Sequence, residues 1–209
     1  MHTMKVHRDR AIDFAHPERS QFHVDDLVVG MSTAPRYAGF TTEPWDVAQH
    51  TMLCLRLIPS RNEAYAFLGI YVALHDAAEA YMNDLPRPLK RLCPDYSGIE
   101  DRMMQAINGY FGVPDPDDGM LRMVHEIDQM AFDIERPVLQ PGTTHVSEVT
   151  NVDVRGMAPF GRAWMDHYLN NPQRACYDLT DVLWRLKGAG KNFRWRDAYA
   201  LPALRWNSV

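Results

Sequence analysis

The chain is expected to fold as an all-α, single-domain helical bundle. Three observations predict it. Apolar residues recur at helical spacing through most of the 209 residues, cap and breaker signals punctuate those runs, and strand-like alternation is confined to one stretch. Residues 1–23 are weakly patterned; a short helix then begins near Val24 and ends before Pro35. A loop runs through Pro44. The next helix, about 45–58, contains the mostly apolar Val47-Ala48-Gln49-His50-Thr51-Met52-Leu53-Cys54-Leu55 and is ended by Pro59. A helix over about 61–82 follows, apolar nearly all round from Ala64 to Leu74, as a central buried helix reads. Ser97-Gly98-Ile99-Glu100 fits a capping box that opens a helix over about 97–112. Gly112-Val113-Pro114 breaks it before another at about 117–135. Residues 137–157 mix Pro, Gly and Thr with alternating Val, predicting a long loop or a short hairpin insert. Helices at about 158–170 and 172–187 close the bundle, the second with Asn171 as cap and Pro172 in its first turn. Residues 191–209 form a tail of interleaved aromatics and Arg, expected to pack across the body or on another subunit. The whole chain, 1–209, reads as one domain with its core in 25–190.

Composition narrows the function classes. An apolar content of 46% in a chain of this length supports one sizeable core, and a net charge of -5 offers no global basic face for a nucleic-acid polymer. Cys54, Cys93 and Cys176 are odd in number and lack Cys-x-x-Cys spacing, so neither a disulfide framework nor a zinc ribbon is indicated. The amino terminus has no apolar signal region and no run is long enough to span a bilayer, which predicts a cytoplasmic protein with no membrane partner.

Leu74-His75-Asp76-Ala77-Ala78-Glu79 carries the chemistry. Imidazole and carboxylate side by side in an apolar helix are costly unless paired or coordinated, and together they suit a divalent transition ion. On an α-helix Glu79, four residues after His75 and three after Asp76, shares their face. His50 and Asp128 are polar residues embedded in apolar periodicity on other helices. With His75 and Asp76 they supply two imidazoles and two carboxylates from three helices, a shell that leaves positions open. His125, three residues before Asp128, reads as surface or as a partner of the shell. Arg87 and Lys90 are either phosphate contacts or a solvated basic loop. Trp45 is either core or a stacking platform for a base. Asn83-Asp84-Leu85-Pro86 also reads as a helix end with an Asx turn.

His75-Asp76-Ala77-Ala78-Glu79, continued by Asp84-Leu85-Pro86-Arg87-Pro88-Leu89-Lys90, resembles the extended motif HD-x-x-E followed by D-(L/V)-P-x-P-(L/V)-K. That motif belongs to the HD-domain metal-dependent phosphohydrolases, in particular the bacterial 5′-deoxynucleotidases and phage HD hydrolases. Upstream, Arg36-Tyr37-Ala38-Gly39 and Val47-Ala48-Gln49-His50-Thr51 are similar to the phage pattern R-(Y/F)-x-G and V-A-(E/Q)-H-S. The likeness covers roughly residues 25–140; Gln49 and Thr51 stand where many relatives have Glu and Ser. The resemblance implies that His50, His75, Asp76 and Asp128 hold one divalent ion (Co, Mn, Zn, Fe or Mg). It makes Glu79 the general acid or base, Asp84 the residue that orients the attacking water, and Arg36 a contact to phosphate or sugar. The implied reaction cleaves the 5′ phosphoester of a deoxynucleotide such as dATP or dAMP, giving nucleoside plus triphosphate or phosphate. That would serve phage nucleotide-pool control in the host cytoplasm, with the protein as a homo-oligomer. The competing expectation is a catalytically silent HD scaffold that binds nucleotides or assembles with partners.

Overall fold

A computed structural model describes residues 2–58, 67–142 and 154–193, with the side chains of 154–160 left aside. It is mostly helical, as the sequence predicts. Its one departure in class is a two-stranded antiparallel hairpin, β1 (Thr3–Lys5) and β2 (Ala11–Asp13), in the weakly patterned start. The hairpin buries Ile12 completely, and Arg10 clamps Asp26 of the first helix with two 2.6 Å contacts, Nε to Oδ2 and Nη2 to Oδ1.

The helices are α1 (Val24–Met31), α2 (Val47–Leu57), α3 (Leu68–Leu74), α4 (Glu79–Met82), α5 (Arg87–Lys90), α6 (Pro94–Phe111), α7 (Asp118–Leu139), α8 (Val154–Asn170) and α9 (Pro172–Ala189). Helix α2 is the centre: all eleven of its residues are buried, and α3, α7, α8 and α9 pack around it; α3, the described part of the run read as a buried helix, is itself buried at every residue but Tyr71. It starts where Asp46 and Gln49 form a reciprocal capping box, the Asp46 carboxylate accepting from the Gln49 backbone at 2.8 Å and Gln49 Oε1 accepting from Asp46 at 2.9 Å. Gln49 Nε2 then donates to the Tyr168 carbonyl on α8, so a buried amide is spent on both the cap and the packing.

Several predicted boundaries move. The helix expected over 61–82 is interrupted at residues 75–78, where short i to i+3 bonds replace α-helical ones; residues 59–66 lie outside the described set. His75 Nδ1 bonds the Val72 carbonyl at 2.8 Å and so competes with the backbone for an acceptor of the last turn of α3. Helix α6 opens at Pro94 after Cys93, three residues before the proposed Ser97 cap, because proline is well suited to a first turn. Helix α7 runs past Pro137 to Leu139: Leu139 is buried, and Thr42 donates to the carbonyls of both Val138 and Leu139, tying down the last turn. Asn171 stands at the N-cap of α9 with Pro172 after it, as expected, but makes no side-chain cap bond; its amide donates instead to the His167 carbonyl and finishes α8. Helix α8 starts at Val154, inside the expected insert, of which residues 143–153 lie outside the described set, as does the tail from residue 194. Among the described residues no helix is long and apolar enough to cross a membrane.

Candidate metal centre

Helix α2, the turn after α3, and α7 bring His50, His75, Asp76 and Asp128 to one point. His50 Nε2 lies 3.3 Å from His75 Nε2, 3.2 Å from Asp128 Oδ1 and 3.6 Å from Asp76 Oδ2; His75 Nε2 lies 3.1 Å from Asp76 Oδ2. Ligands about 2.0–2.2 Å from a tetrahedral ion are themselves roughly 3.3 Å apart. The separations therefore fit a shared first-row ion. Both imidazoles are held so that Nε2 faces the cluster. His50 Nδ1 is 2.6 Å from the Glu135 carboxylate, and His75 Nδ1 is taken by Val72. Cys54, one turn beyond His50 and fully buried, adds a thiol 3.5 Å from His50 Nε2. Ligand atoms of His50, Cys54 and His75 all fall within 4.8 Å of one another, a group able to hold a metal ion.

The charges around this point are strongly coupled. Burial works against both imidazolium forms, yet the surrounding carboxylates and Cys54 raise His50 and His75 well above the usual histidine range. Burial also opposes the Asp76 carboxylate, but the neighbouring imidazoles outweigh it and bring Asp76 down to about 2; Asp128 is lowered in the same way, chiefly by His50. Glu79 goes the other direction. It is 6% exposed, its Oε2 has no hydrogen-bond partner, and burial followed by the nearby Asp76 and Asp84 charges raises it well above the carboxylate range. Asp84 is raised too, mainly by burial, with Arg36 opposing.

Arg36 sits among the acids: Nη1 is 3.4 Å from Asp76 and 3.9 Å from Asp84, and Nε is 3.4 Å from Glu135. Its backbone is fixed by a bond from Arg36 N to the Trp45 carbonyl at 2.9 Å. The turn after it holds two non-glycine residues in the left-handed region, Tyr37 at φ 56 and Ala38 at φ 52.

Two cavities meet at the cluster, and Asp76, Glu79, Lys90 and Asp128 line both. One, of about 750 Å³, is bordered by Arg36, Arg87, Lys90, Arg91 and Arg136; the other, of about 530 Å³, has Tyr71, Leu74, Met104, Leu121 and Val124 on its walls. Arg87 and Lys90 border the first cavity while paired with carboxylates, Arg87 Nη2 with Asp128 at 3.0 Å and Lys90 with Glu100 at 2.6 Å. His125 is exposed on the wall of the second. Of the two readings of Trp45 the structure supports core rather than stacking platform: it is 2% exposed and lines neither cavity.

Sequence reasoning misses Glu135 and Cys54. The available signals were spacing alone: Glu135 follows Asp128 by two helical turns, and Cys54 follows His50 by one.

No family model matches the chain. Among curated proteins it is similar to the uncharacterized protein YfdR of Escherichia coli (strain K12), with 40% identity over 91 residues, which are 44% of this chain and 48% of that protein. The chain thus spans about half the length of the curated relative it matches.

Proposed function

We propose that the protein is a metal-dependent hydrolase that cleaves the 5′ phosphoester of small deoxynucleotides. The observation that carries this reading is the convergence of two imidazole Nε2 atoms and two carboxylates at 3.1–3.6 Å, beside a buried, proton-retaining Glu79 and at the junction of a cation-lined and a largely apolar cavity. It agrees with the HD-x-x-E resemblance. His50, His75, Asp76 and Asp128 would hold the ion, and the adjacent Cys54 thiol favours Zn, Co or Fe over Mg. What a divalent ion supplies there, when bound, is charge withdrawal from the phosphoryl oxygens and easier ionisation of water.

The remaining chemistry belongs to the chain. Arg36, with the basic side chains of the larger cavity, receives the phosphates; the apolar walls of the other accept sugar and base. Asp84 orients the attacking water and takes its proton as the new P–O bond forms. Glu79, kept protonated by burial and by like charges, gives its proton to the departing 5′ oxygen as the old P–O bond breaks. The products are nucleoside plus triphosphate or phosphate, and dATP and dAMP are the first substrates to test.

The test is a panel of deoxynucleoside and ribonucleoside mono- and triphosphates with Co²⁺, Mn²⁺, Zn²⁺, Fe²⁺ or Mg²⁺, products separated by chromatography. Release of nucleoside from deoxynucleotides is expected, abolished by Asp76→Ala. Nucleotide retained without turnover under every ion would favour the silent scaffold, and full activity of Asp76→Ala would sink the ligand assignment.

A further inference from the structure

We infer that Glu135 is a positioning residue for this site: one buried carboxylate fixes the imidazole that His50 presents to the ion and the guanidinium that Arg36 presents to the phosphate-facing cavity. The inference rests on the reading of His50, His75, Asp76 and Asp128 as ion ligands.

Glu135 has no exposure at all, and a bare carboxylate there would be prohibitively costly. It is instead shared out by oxygen. Oε1 accepts from His50 Nδ1 at 2.6 Å; Oε2 accepts from the Tyr37 hydroxyl at 3.1 Å and is ion-paired with Arg36 Nε at 3.4 Å. A carboxylate in this place accepts the Nδ1 proton, so the tautomer is set and Nε2 is left as a more basic donor aimed at Asp128 and His75. The same residue bonds the turn that carries Arg36, whose other edge faces Asp76 and Asp84. Helix α7 thus contributes Asp128 at the ion and, two turns later, the group that orients the opposite ligand.

A merely structural Glu135 would serve only to neutralise Arg36 in the core. Glu135→Asp separates the two roles: it keeps the charge beside Arg36 but draws the carboxylate back from His50 Nδ1 by one methylene. Glu135→Gln does the reverse, keeping an acceptor of the right length without the charge. Affinity for Co²⁺ and Zn²⁺ is measured by competition with a chromophoric chelator, without nucleotide, and folding by circular dichroism. Glu135→Asp should bind the ion about 10–100-fold more weakly than the parent, as removal of a partner behind a metal-bound imidazole typically does, and Glu135→Gln, which keeps the acceptor but loses the charge that makes Nε2 more basic, should weaken it by a smaller factor. Glu135→Asp folded and with parental affinity overturns the inference; if it does not fold, Glu135→Gln decides by the same criterion. A parent protein that binds no ion overturns the metal reading and this inference together. Ion binding without nucleotide hydrolysis leaves the reaction refuted and Glu135 still decided by the affinity ratio.

Discussion

Glu79 and Asp128 show how environment separates carboxylates of one type of chemistry. Asp128 lies against imidazole and is lowered below the usual carboxylate range; Glu79 is buried against other acids with one oxygen unpartnered and is raised well above it. The first suits a ligand and the second a proton donor. Glu79→Gln keeps the shape, removes the transferable proton and leaves the four ligand residues in place. Its turnover should fall by roughly 10²-fold or more, the usual worth of general acid catalysis, while ion affinity stays within a few-fold. Single-turnover assays beside chelator competition check this, and a variant that loses the ion would make Glu79 a ligand. At this scale the residues inside the motif were legible, because His75, Asp76 and Glu79 stand close together in the sequence. Glu135 was not legible: its meaning comes from His50, 85 positions away, and an isolated Glu on a helix face carries no mark of that partner. Trp45 stayed open between core and platform for the complementary reason, since only packing decides whether an aromatic next to a motif faces a cavity or the core.

Two elements hold the site at measurable cost. Asp46 caps α2 from a partly buried position, and burial pushes its carboxyl up to about 7 despite the backbone bonds from Gln49 and Ala48. Its folded value lies above the ordinary 3.8, so the folded state holds the proton more tightly. The contribution to stability is full below pH 3.8 and is lost as pH rises to about 7. Asparagine caps as well as aspartate, so Asp46→Asn should abolish that slope and gain on the parent across this window. Urea midpoints at a series of pH values test it; parallel curves would refute it. On α1, Gly30 packs so close to α4 that an added Cβ would meet the Ala80 carbonyl oxygen at 2.2 Å. Backbone cannot rotate away as a side chain can, so Gly30→Ala should cost at least about 1–3 kcal/mol in urea unfolding. Because α4 begins at Glu79, turnover should drop further than the loss of folded protein explains. The helix boundaries that sequence placed well, such as α1 and α2, carry local signals. The break at residues 75–78 has no Pro or Gly to announce it and coincides with the bond of His75 to Val72, so it was invisible in the pattern.

Across the whole molecule, α2 divides its two buried basic groups between opposite tasks. His50 turns toward α7 and the site. Arg56 turns toward α8 and α9, lying 3.9 Å over the Trp164 ring, donating to the Tyr168 hydroxyl at 3.2 Å and facing Asp178 at 3.6 Å, while Tyr168 in turn donates to Asp178 at 3.2 Å. The proposed ligands come from α2, the turn after α3, and α7; α8 and α9 contribute none and act as a buttress for α2. Helical periodicity revealed that such a bundle exists, whereas the division of labour within it depends on pairings 108 to 122 positions apart. The division can be tested through Arg56→Met, which preserves much of the packing but leaves the buried Asp178 with Arg174 at 2.8 Å as its remaining cation. Removing one partner of a buried pair typically costs about 3–5 kcal/mol, and the second cation should hold the loss near the lower end. Adding Asp178→Asn should restore part of it, since the uncompensated charge is then gone. Ion affinity of the folded variant should stay at the parental value, because His50, Glu135 and Asp128 are tied to one another rather than to α8 or α9. Denaturant unfolding and chelator competition on the same preparations decide the matter: a variant that loses stability and ion together would mean that buttress and site are one cooperative unit.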